Sequence, residues 1–339
     1  MRNNISILYV GNKLSKFGYT PGVIETLGKQ LEKYFIIIYA GTKKNIVIRL
    51  LEMIFKTIKN RKKITYILID TYSTKAFWYA YIIGRLSYFL NIKYIPILHG
   101  GDLPERLLKS KRKCDILFNR SYKNVAVSGY LNFYFEKAGY NSIIIPNNIN
   151  IKNYDFLKRK EIRPRLLWVR SFQKEYNPKL AIDVLKQLSI LYPDTILCMV
   201  GPDKDGSIKV ISEYASKQGL DDKLKITGRL SKKEWHKLSE DFDIFINTTN
   251  FDNTPVSVIE AMALGLPIVS TNVGGLPFLL NNKSDAILVE PNDPLKMCDA
   301  IQYLITNPSF AIQIAENARK KAESFDWKIT KSKWLNLLK

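Results

Sequence analysis

A chain of 339 residues with 46% apolar side chains is long enough for two domains, each with its own core, which excludes a disordered or fibrous class. Three cysteines far apart (Cys114, Cys198, Cys298) and two histidines (His99, His236) exclude a disulfide framework and argue against a zinc site, so a reducing compartment is expected. The net charge is +21, and residues 1–155 carry 25 Lys and Arg against 9 Asp and Glu, so most of the excess sits in the first half.

The N-terminal stretch MRNNISILYVGN lacks the long apolar core and small-residue cleavage site of a signal peptide, so a cytoplasmic protein is expected. Ile5 to Val10 reads as a first strand ending at Gly11, and the loop after it, with Gly18 and Gly22, leads into a helix to about Lys33. Further strands are predicted at Tyr34 to Tyr39, Tyr66 to Ile69, Tyr94 to Leu98, Val125 to Ser128 and Ile143 to Pro146, separated by helix-like segments. The longest apolar stretch, Ala76 to Leu90, is short for a membrane span and contains Arg85, so it reads as a buried helix. This strand and helix alternation predicts a parallel doubly wound sheet. His99, followed by Gly100, Gly101 and Asp102, lies at a strand's carboxyl end, where open α/β sheets hold ligands; the alternative is an ordinary hydrogen-bonded loop histidine.

Basic clusters at Lys43-Lys44, Lys59 to Lys63 and Arg106 to Lys113 recur among aromatic residues in this half. They are either a solvated surface or a face attracted to anionic lipid heads or a pyrophosphate-linked acceptor. No helix-turn-helix, zinc-finger or RNA-recognition signature accompanies the charge, so nucleic acid is not expected as a partner.

The polar segment IKNYDFLKRKEIRPR, beginning at Ile151, reads as a linker to a second domain. Leu166 to Val169 opens a new sheet and ends at Arg170, whose guanidinium can pair two phosphate oxygens at once. Strands at Ile196 to Val200 and Lys225 to Gly228 follow, then a helix from Ser231 to Asp241 and a short apolar strand at Asp243 to Asn247.

The stretch from Phe251 to Gly275, FDNTPVSVIEAMALGLPIVSTNVGG, is where the chemistry is expected. Thr254 can serve as N-cap with Pro255 at the first helical position, and Gly265 and Pro267 stop the helix before the strand Pro267 to Ser270. The helix is apolar apart from Ser257 and Glu260. A helical side chain leans toward the N-terminus, so the Glu260 carboxylate points to the same end as the free NH groups of Val256 and Ser257. Those NH groups and the helix dipole suit a phosphate, and a carboxylate nearby can accept sugar hydroxyls, which is a layout for a nucleotide or nucleotide sugar. The alternative for a lone Glu is a structural hydrogen bond to neighbouring backbone; the acid eight residues earlier, Asp252, favours the ligand.

These residues resemble the signature of the retaining glycosyltransferases of family 4, which have the GT-B fold. The motif appears as Asp252, Glu260, Ala261-Met262-Ala263, Gly265-Leu266-Pro267 and the pair Gly274-Gly275, with the first acid one methylene shorter than the usual Glu. Pro146-Asn147-Asn148-Ile149-Asn150 stands where relatives have Pro-Asn-Gly-Ile-Asp, and the tail Phe325 to Lys328 resembles the final aromatic segment that returns to the first domain. The resemblance implies two Rossmann-like domains facing a central cleft: an acceptor-binding domain over 1–155, a nucleotide-sugar domain over 156–322, and a returning segment over 323–339. It implies donor contacts from Gly11, Arg170, Lys174, Gly201, Arg229 and Leu230, and from the helix start Asn253, Thr254, Pro255, Val256 and Ser257. For Gly11 a plain β-to-α turn is an open alternative. Glu260 would hold the ribose hydroxyls, Asp252 a sugar hydroxyl, and His99 the reacting sugar, with Gly100, Gly101 and Asp102 on the acceptor side.

The expected activity is retaining transfer of a sugar from a nucleoside diphosphate sugar, with UDP or GDP undecided, to a hydroxyl of a glycan or lipid-linked glycan in cell-surface polysaccharide synthesis. No Asp-x-Asp triplet is read as a divalent-metal site, and basic side chains and helix ends can take that role at the departing diphosphate, so no metal or other cofactor is expected. An anionic membrane surface at the inner face of the cell membrane is a candidate partner. A nucleotide-sugar epimerase or hydrolase, or a non-catalytic basic binding protein, are the alternatives.

Overall fold

A computed structural model describes residues 5–19 and 21–339. The chain forms two compact units, Met1–Asn148 with Thr330–Lys339, and Ile149–Ile329. Each is built on a six-stranded sheet in which every pairing is parallel. The doubly wound parallel sheets expected from the alternation are both present.

In the first unit the elements run β1 (Ser6–Val10), α1 (Val23–Leu31), β2 (Ile36–Ala40), α2 (Ile46–Asn60), β3 (Tyr66–Thr71), α3 (Phe77–Phe89), β4 (Lys93–Leu98), α4 (Leu103–Lys109), α5 (Lys111–Phe118), β5 (Asn124–Ala126), α6 (Gly129–Lys137) and β6 (Ser142–Ile144). The strand order β2-β1-β3-β4-β5-β6 reverses direction between β1 and β3, which opens a crevice beyond the carboxyl ends of those strands. Because both faces are covered, β1 and β3 read as unbroken apolar runs, and Ile7, Leu8, Ile67, Leu68 and Ile69 are wholly buried. The apolar stretch around Arg85 is helix α3, packed through Phe77, Ala80, Ile83 and Gly84. No helix among the described residues is long and apolar enough to cross a membrane.

The second unit runs β7 (Arg165–Val169), α7 (Pro178–Leu191), β8 (Ile196–Val200), α8 (Ser207–Lys217), β9 (Leu224–Gly228), α9 (Lys232–Leu238), β10 (Ile244–Asn247), α10 (Val256–Leu264), β11 (Ile268–Thr271), α11 (Leu276–Leu279), β12 (Ile287–Val289), α12 (Pro294–Thr306) and α13 (Pro308–Glu323); a last helix, α14 (Trp327–Leu337), carries the chain into residues that complete the first unit. The order β12-β11-β10-β7-β8-β9 reverses between β7 and β10. Alternation along β7 sends Leu166 and Trp168 to one core layer and Leu167 to the other, so the sheet is buried on both sides.

Two readings of the chain's organisation shift. The segment after Asn150 is not a solvated linker. Its Tyr154 is buried, and the buried Arg159 guanidinium donates to the carbonyls of Phe242 at 2.8 Å, Gly265 at 2.9 Å and Ser239 at 2.9 Å. A buried cation of this kind persists because its planar donors are satisfied by fixed carbonyls. Residues 149–151 are also tied to the tail: Ile149 N donates to Phe325 O at 3.0 Å, Trp327 N to Ile149 O at 3.1 Å, and Ile151 N to the Asp326 carboxylate at 2.9 Å. The units therefore divide at Asn148/Ile149 and Ile329/Thr330, so the positions 155 and 322 both fall inside the second unit.

Candidate functional site

The carboxyl ends of β7 and β10 flank the reversal of the second sheet, and they carry the expected charges. Arg170 follows β7 directly; its guanidinium forms an ion pair with Asp252 and lies 3.8 Å from the centre of the Tyr176 ring. Arg170 Nε is buried without a hydrogen-bond partner, and burial lowers the guanidinium's pKa. The two residues expected to hold phosphate and sugar separately thus pair with each other. Asp252 is held in place by its backbone as well: its carbonyl accepts from Gly275 N at 2.7 Å.

Helix α10 begins one residue later than the capping pattern suggests. Pro255, in extended conformation, is the N-cap and no side chain caps the helix, so Thr254 is not the cap. Pro255 itself has ψ at 117°, outside the helical range, so Val256 is the first helical residue and Thr254 lies one position beyond the cap. The hydroxyls of Thr254 and Ser257 are both buried without a partner, beside NH groups that have no intrahelical acceptor. Val256 is exposed and Asn253 buried at the same end. Two unsatisfied hydroxyls, open NH groups and the positive end of the helix dipole form an arrangement that can accept an anion.

Glu260 lies one turn into α10 and is buried. Its Oε1 accepts from Tyr154 Oη at 2.7 Å and from Lys232 Nζ at 2.5 Å. Burial, then the Glu260 charge, push the Tyr154 hydroxyl far up in pKa, so it stays a donor. His236 packs on the Tyr154 ring with ring centres 4.7 Å apart. Its pKa is lowered by burial, partly opposed by Glu260.

The remaining positions fall into two groups. A Cβ on Gly201 would sit 1.7 Å from the Arg170 carbonyl oxygen, so this glycine lets the backbone carrying Arg170 pass. Lys174 occupies a 3-10 turn with an exposed side chain, its NH donating to Asp205 at 2.9 Å; Arg229 is exposed, and Leu230 packs on the core beside it. The chain also holds two Asp-x-Asp triplets, Asp203-Lys204-Asp205 and Asp241-Phe242-Asp243. Asp243 is paired with Arg163 at 2.7 Å, and Asp203 and Asp205 accept the NH groups of Gly206 and Lys174, which gives these carboxylates structural partners.

In the first unit, β1 and β3 flank the reversal and β4 lies beside β3. His99 follows β4, and its Nε2 is 3.0 Å from Asp70 Oδ1 on β3, with both side chains nearly inaccessible. Tyr9 on β1 donates its hydroxyl to the same oxygen at 3.1 Å. Burial and the Asp70 charge raise the Tyr9 hydroxyl well above its usual pKa, so it remains a donor. An ionised carboxylate only accepts, so in the neutral imidazole the proton sits on Nε2 and Nδ1 keeps its lone pair. Gly11 is the fourth member: a Cβ there would lie 2.5 Å from Asp70 Oδ2, so its place is required by the carboxylate. Gly100 accepts from Leu103 N at 3.1 Å to start α4, where Gly101 is half-buried and Asp102 exposed.

Tyr9, Asp70, Tyr154 and Lys232 are absent from the motif reading. Only Asp70 left a signal, an acid at the carboxyl end of an apolar strand, hidden by ending that strand at Ile69. The three cysteines are buried, which pushes the Cys114 and Cys198 thiols up to about 11 and Cys298 to about 12, away from nucleophilic chemistry.

Residues 151–321 match the family model described as glycosyl transferases group 1, which is half of the chain. An uncharacterised glycosyltransferase of Methanocaldococcus jannaschii is 25% identical over 244 residues, 70% of this chain and 66% of that protein. The glycogen synthase of Mycobacterium tuberculosis is 26% identical over 190 residues, 54% of this chain and 45% of that one. The chain therefore spans less than two thirds of the length of these relatives. Among solved structures, Anabaena HepE in complex with UDP-glucose superposes with a TM-score of 0.74 at 18% identity, covering 98% of this chain and 99% of that one. Sucrose-phosphate synthase from Thermosynechococcus elongatus gives a TM-score of 0.76 at 16% identity, covering 98% of each. The fold is GT-B, and the chain belongs to the group 1 glycosyltransferases.

Proposed function

We propose that the protein is a retaining, metal-independent glycosyltransferase of family 4 that moves a sugar from a nucleoside diphosphate sugar to a hydroxyl of a glycan or lipid-linked glycan in cell-surface polysaccharide synthesis. The observation that carries this reading is the start of α10, where two buried hydroxyls without partners flank open NH groups, four residues after an acid paired with Arg170. A diphosphate there receives the helix dipole, the NH groups, the hydroxyls of Thr254 and Ser257, and the Arg170 guanidinium once it exchanges Asp252 for phosphate oxygens. That exchange frees the Asp252 carboxylate to accept a sugar hydroxyl. Glu260, oriented by Tyr154 and Lys232, accepts the ribose hydroxyls. Negative charge builds on the diphosphate as the bond to the sugar breaks, and these fixed donors stabilise it more strongly in that state than in the bound donor.

The second unit is the donor domain in this reading, and Lys174, Gly201, Arg229 and Leu230 belong to its loops. The first is the acceptor domain, where His99, held by Asp70 and Tyr9, positions the reacting sugar, and Gly11, Gly100, Gly101 and Asp102 shape the loops beside it. That HepE is solved with UDP-glucose supports a nucleotide-sugar donor. The basic first half fits work at an anionic membrane face.

The test is a panel of UDP- and GDP-sugars in a thermal-shift assay, followed by turnover with the stabilising donor in EDTA and NMR of the product's anomeric proton. The expected results are stabilisation by one donor family, full turnover in EDTA and a product with the donor's configuration. Loss of turnover that magnesium restores overturns metal independence. Epimerised or freed sugar from donor alone, with no transfer, selects an epimerase or hydrolase instead.

A further inference from the structure

Helix α2 is amphipathic the wrong way round for a helix packed on a sheet. Its inward side buries Arg49, Met53 and Thr57, while Ile46, Val47, Ile48, Leu51 and Phe55 each expose more than half of their surface and Ile58 is 40% exposed. Ile48, Leu51, Phe55 and Ile58 fall within about 100° of arc, so they form one continuous apolar stripe along three turns. The cation that would interrupt a helix of this kind has been turned inward: Arg49 donates to the carbonyls of Lys43 at 3.0 Å and Lys44 at 3.2 Å and to the Tyr79 hydroxyl at 3.1 Å. The helix's acid, Glu52, is likewise engaged, by Thr42 N at 2.8 Å, Thr42 Oγ1 at 2.9 Å and Lys56 at 2.7 Å. What remains outward is apolar as far as the last turn, where exposed Lys59 stands 5.5 Å from the centre of the Phe55 ring, and it is bracketed by exposed cations, Lys43 and Lys44 before the helix and Arg61, Lys62 and Lys63 after it.

An exposed row of large apolar side chains marks a surface that something covers. The charge pattern selects what. Between positions 43 and 63 the chain carries eight Lys and Arg against the single, already paired, Glu52, and the chain as a whole is at +21. A second copy would bring the same cations against these, whereas an anionic bilayer complements the cations with headgroups and receives the apolar row in its acyl boundary. We infer that the outer face of α2 is a membrane-docking surface that inserts Ile48, Leu51, Phe55 and Ile58 into an anionic lipid leaflet while the flanking lysines and Arg61 hold the headgroups. This rests on the proposed work at an anionic membrane face and sharpens it. Charge alone gives adsorption that salt abolishes, while an inserted stripe leaves a component that salt does not remove.

The experiment is flotation of the full chain with phosphatidylcholine vesicles, with and without phosphatidylglycerol, at low and high salt. The wild-type protein is expected to float with the anionic vesicles and to keep part of that binding at high salt. The double variant Leu51→Ser/Phe55→Ser should lower the salt-resistant partition coefficient by about tenfold or more, and Lys62→Glu/Lys63→Glu should remove chiefly the salt-sensitive part. Both changes lie on exposed positions, so unaltered melting temperature and nucleotide binding serve as the folding control. Equal flotation of Leu51→Ser/Phe55→Ser and wild type overturns the insertion while leaving the charge-based reading intact. Failure of wild type to float with any vesicle overturns both. A concentration-dependent dimer in sedimentation that the Leu51→Ser/Phe55→Ser variant dissolves would assign the face to a second copy and overturn the proposal.

Discussion

The two sheet reversals in this molecule solve one problem in opposite ways. At the first, Tyr9, Asp70 and His99 form a closed set: one carboxylate oxygen takes both the tyrosine hydroxyl and the imidazole, Tyr9 and Asp70 are buried, and the His99 side chain is nearly inaccessible. At the second, the groups are held in exchangeable pairs, Arg170 with Asp252 and Glu260 with a largely exposed Lys232, and two hydroxyls are left without partners. A closed set fixes one side chain's orientation whether or not a ligand is present. An open set keeps its donors available at the cost of unsatisfied groups, which a ligand would satisfy. In the proposed function, orientation is thus separated from binding.

Three experiments probe that division, from the largest expected effect to the smallest. Glu260→Gln keeps the side chain's shape and its bond to Tyr154 but removes the charge; nucleotide affinity by calorimetry should fall by about 10- to 100-fold with little change in melting temperature. Wild-type affinity in this variant would mean that Glu260 is as closed and structural as Asp70. At the first reversal, Asp70→Asn should lower kcat by about tenfold while leaving the donor KM unchanged, because it acts through His99. Adding His99→Ala to it should then be no worse than His99→Ala alone, a coupling read from the double-mutant cycle. Independent losses would break the claim that the set works as one.

The smallest effect concerns His236, which packs on the tyrosine that holds Glu260. Its pKa is lowered in the folded protein, chiefly by burial, so as pH falls through the usual histidine range near 6.5 the unfolded chain takes up a proton before the folded one does. The unfolded state then binds more protons, stability rises with pH through that window, and it is lost on acidification. His236→Phe should flatten the pH dependence of the melting temperature there. An unchanged slope would show that His236 binds its proton equally well in the folded and unfolded states.

Local patterning carried a large part of this protein. Strand and helix alternation, with strands written as unbroken apolar runs, determined two parallel sheets covered on both faces, because only a sheet buried on each side uses such runs. The spacing of Asp252 and Glu260, with Gly265 and Pro267 closing a short apolar helix, marked the open half of the candidate site, since a helix start and a carboxylate one turn along are close for reasons of helical geometry alone. Contacts between residues far apart in the chain were decided by tertiary structure. Asp70 meets Tyr9 and His99 across 61 and 29 residues because strand order brings β1, β3 and β4 together, and Tyr154 reaches Glu260 across 106 residues because a charged segment folds back instead of linking. The same holds for α2, whose sequence specifies an apolar stripe but whose packing, with Arg49 turned inward, decides that the stripe faces out. Periodicity reports that a face is apolar; only the packing of neighbouring elements determines whether that face meets the core or the solvent.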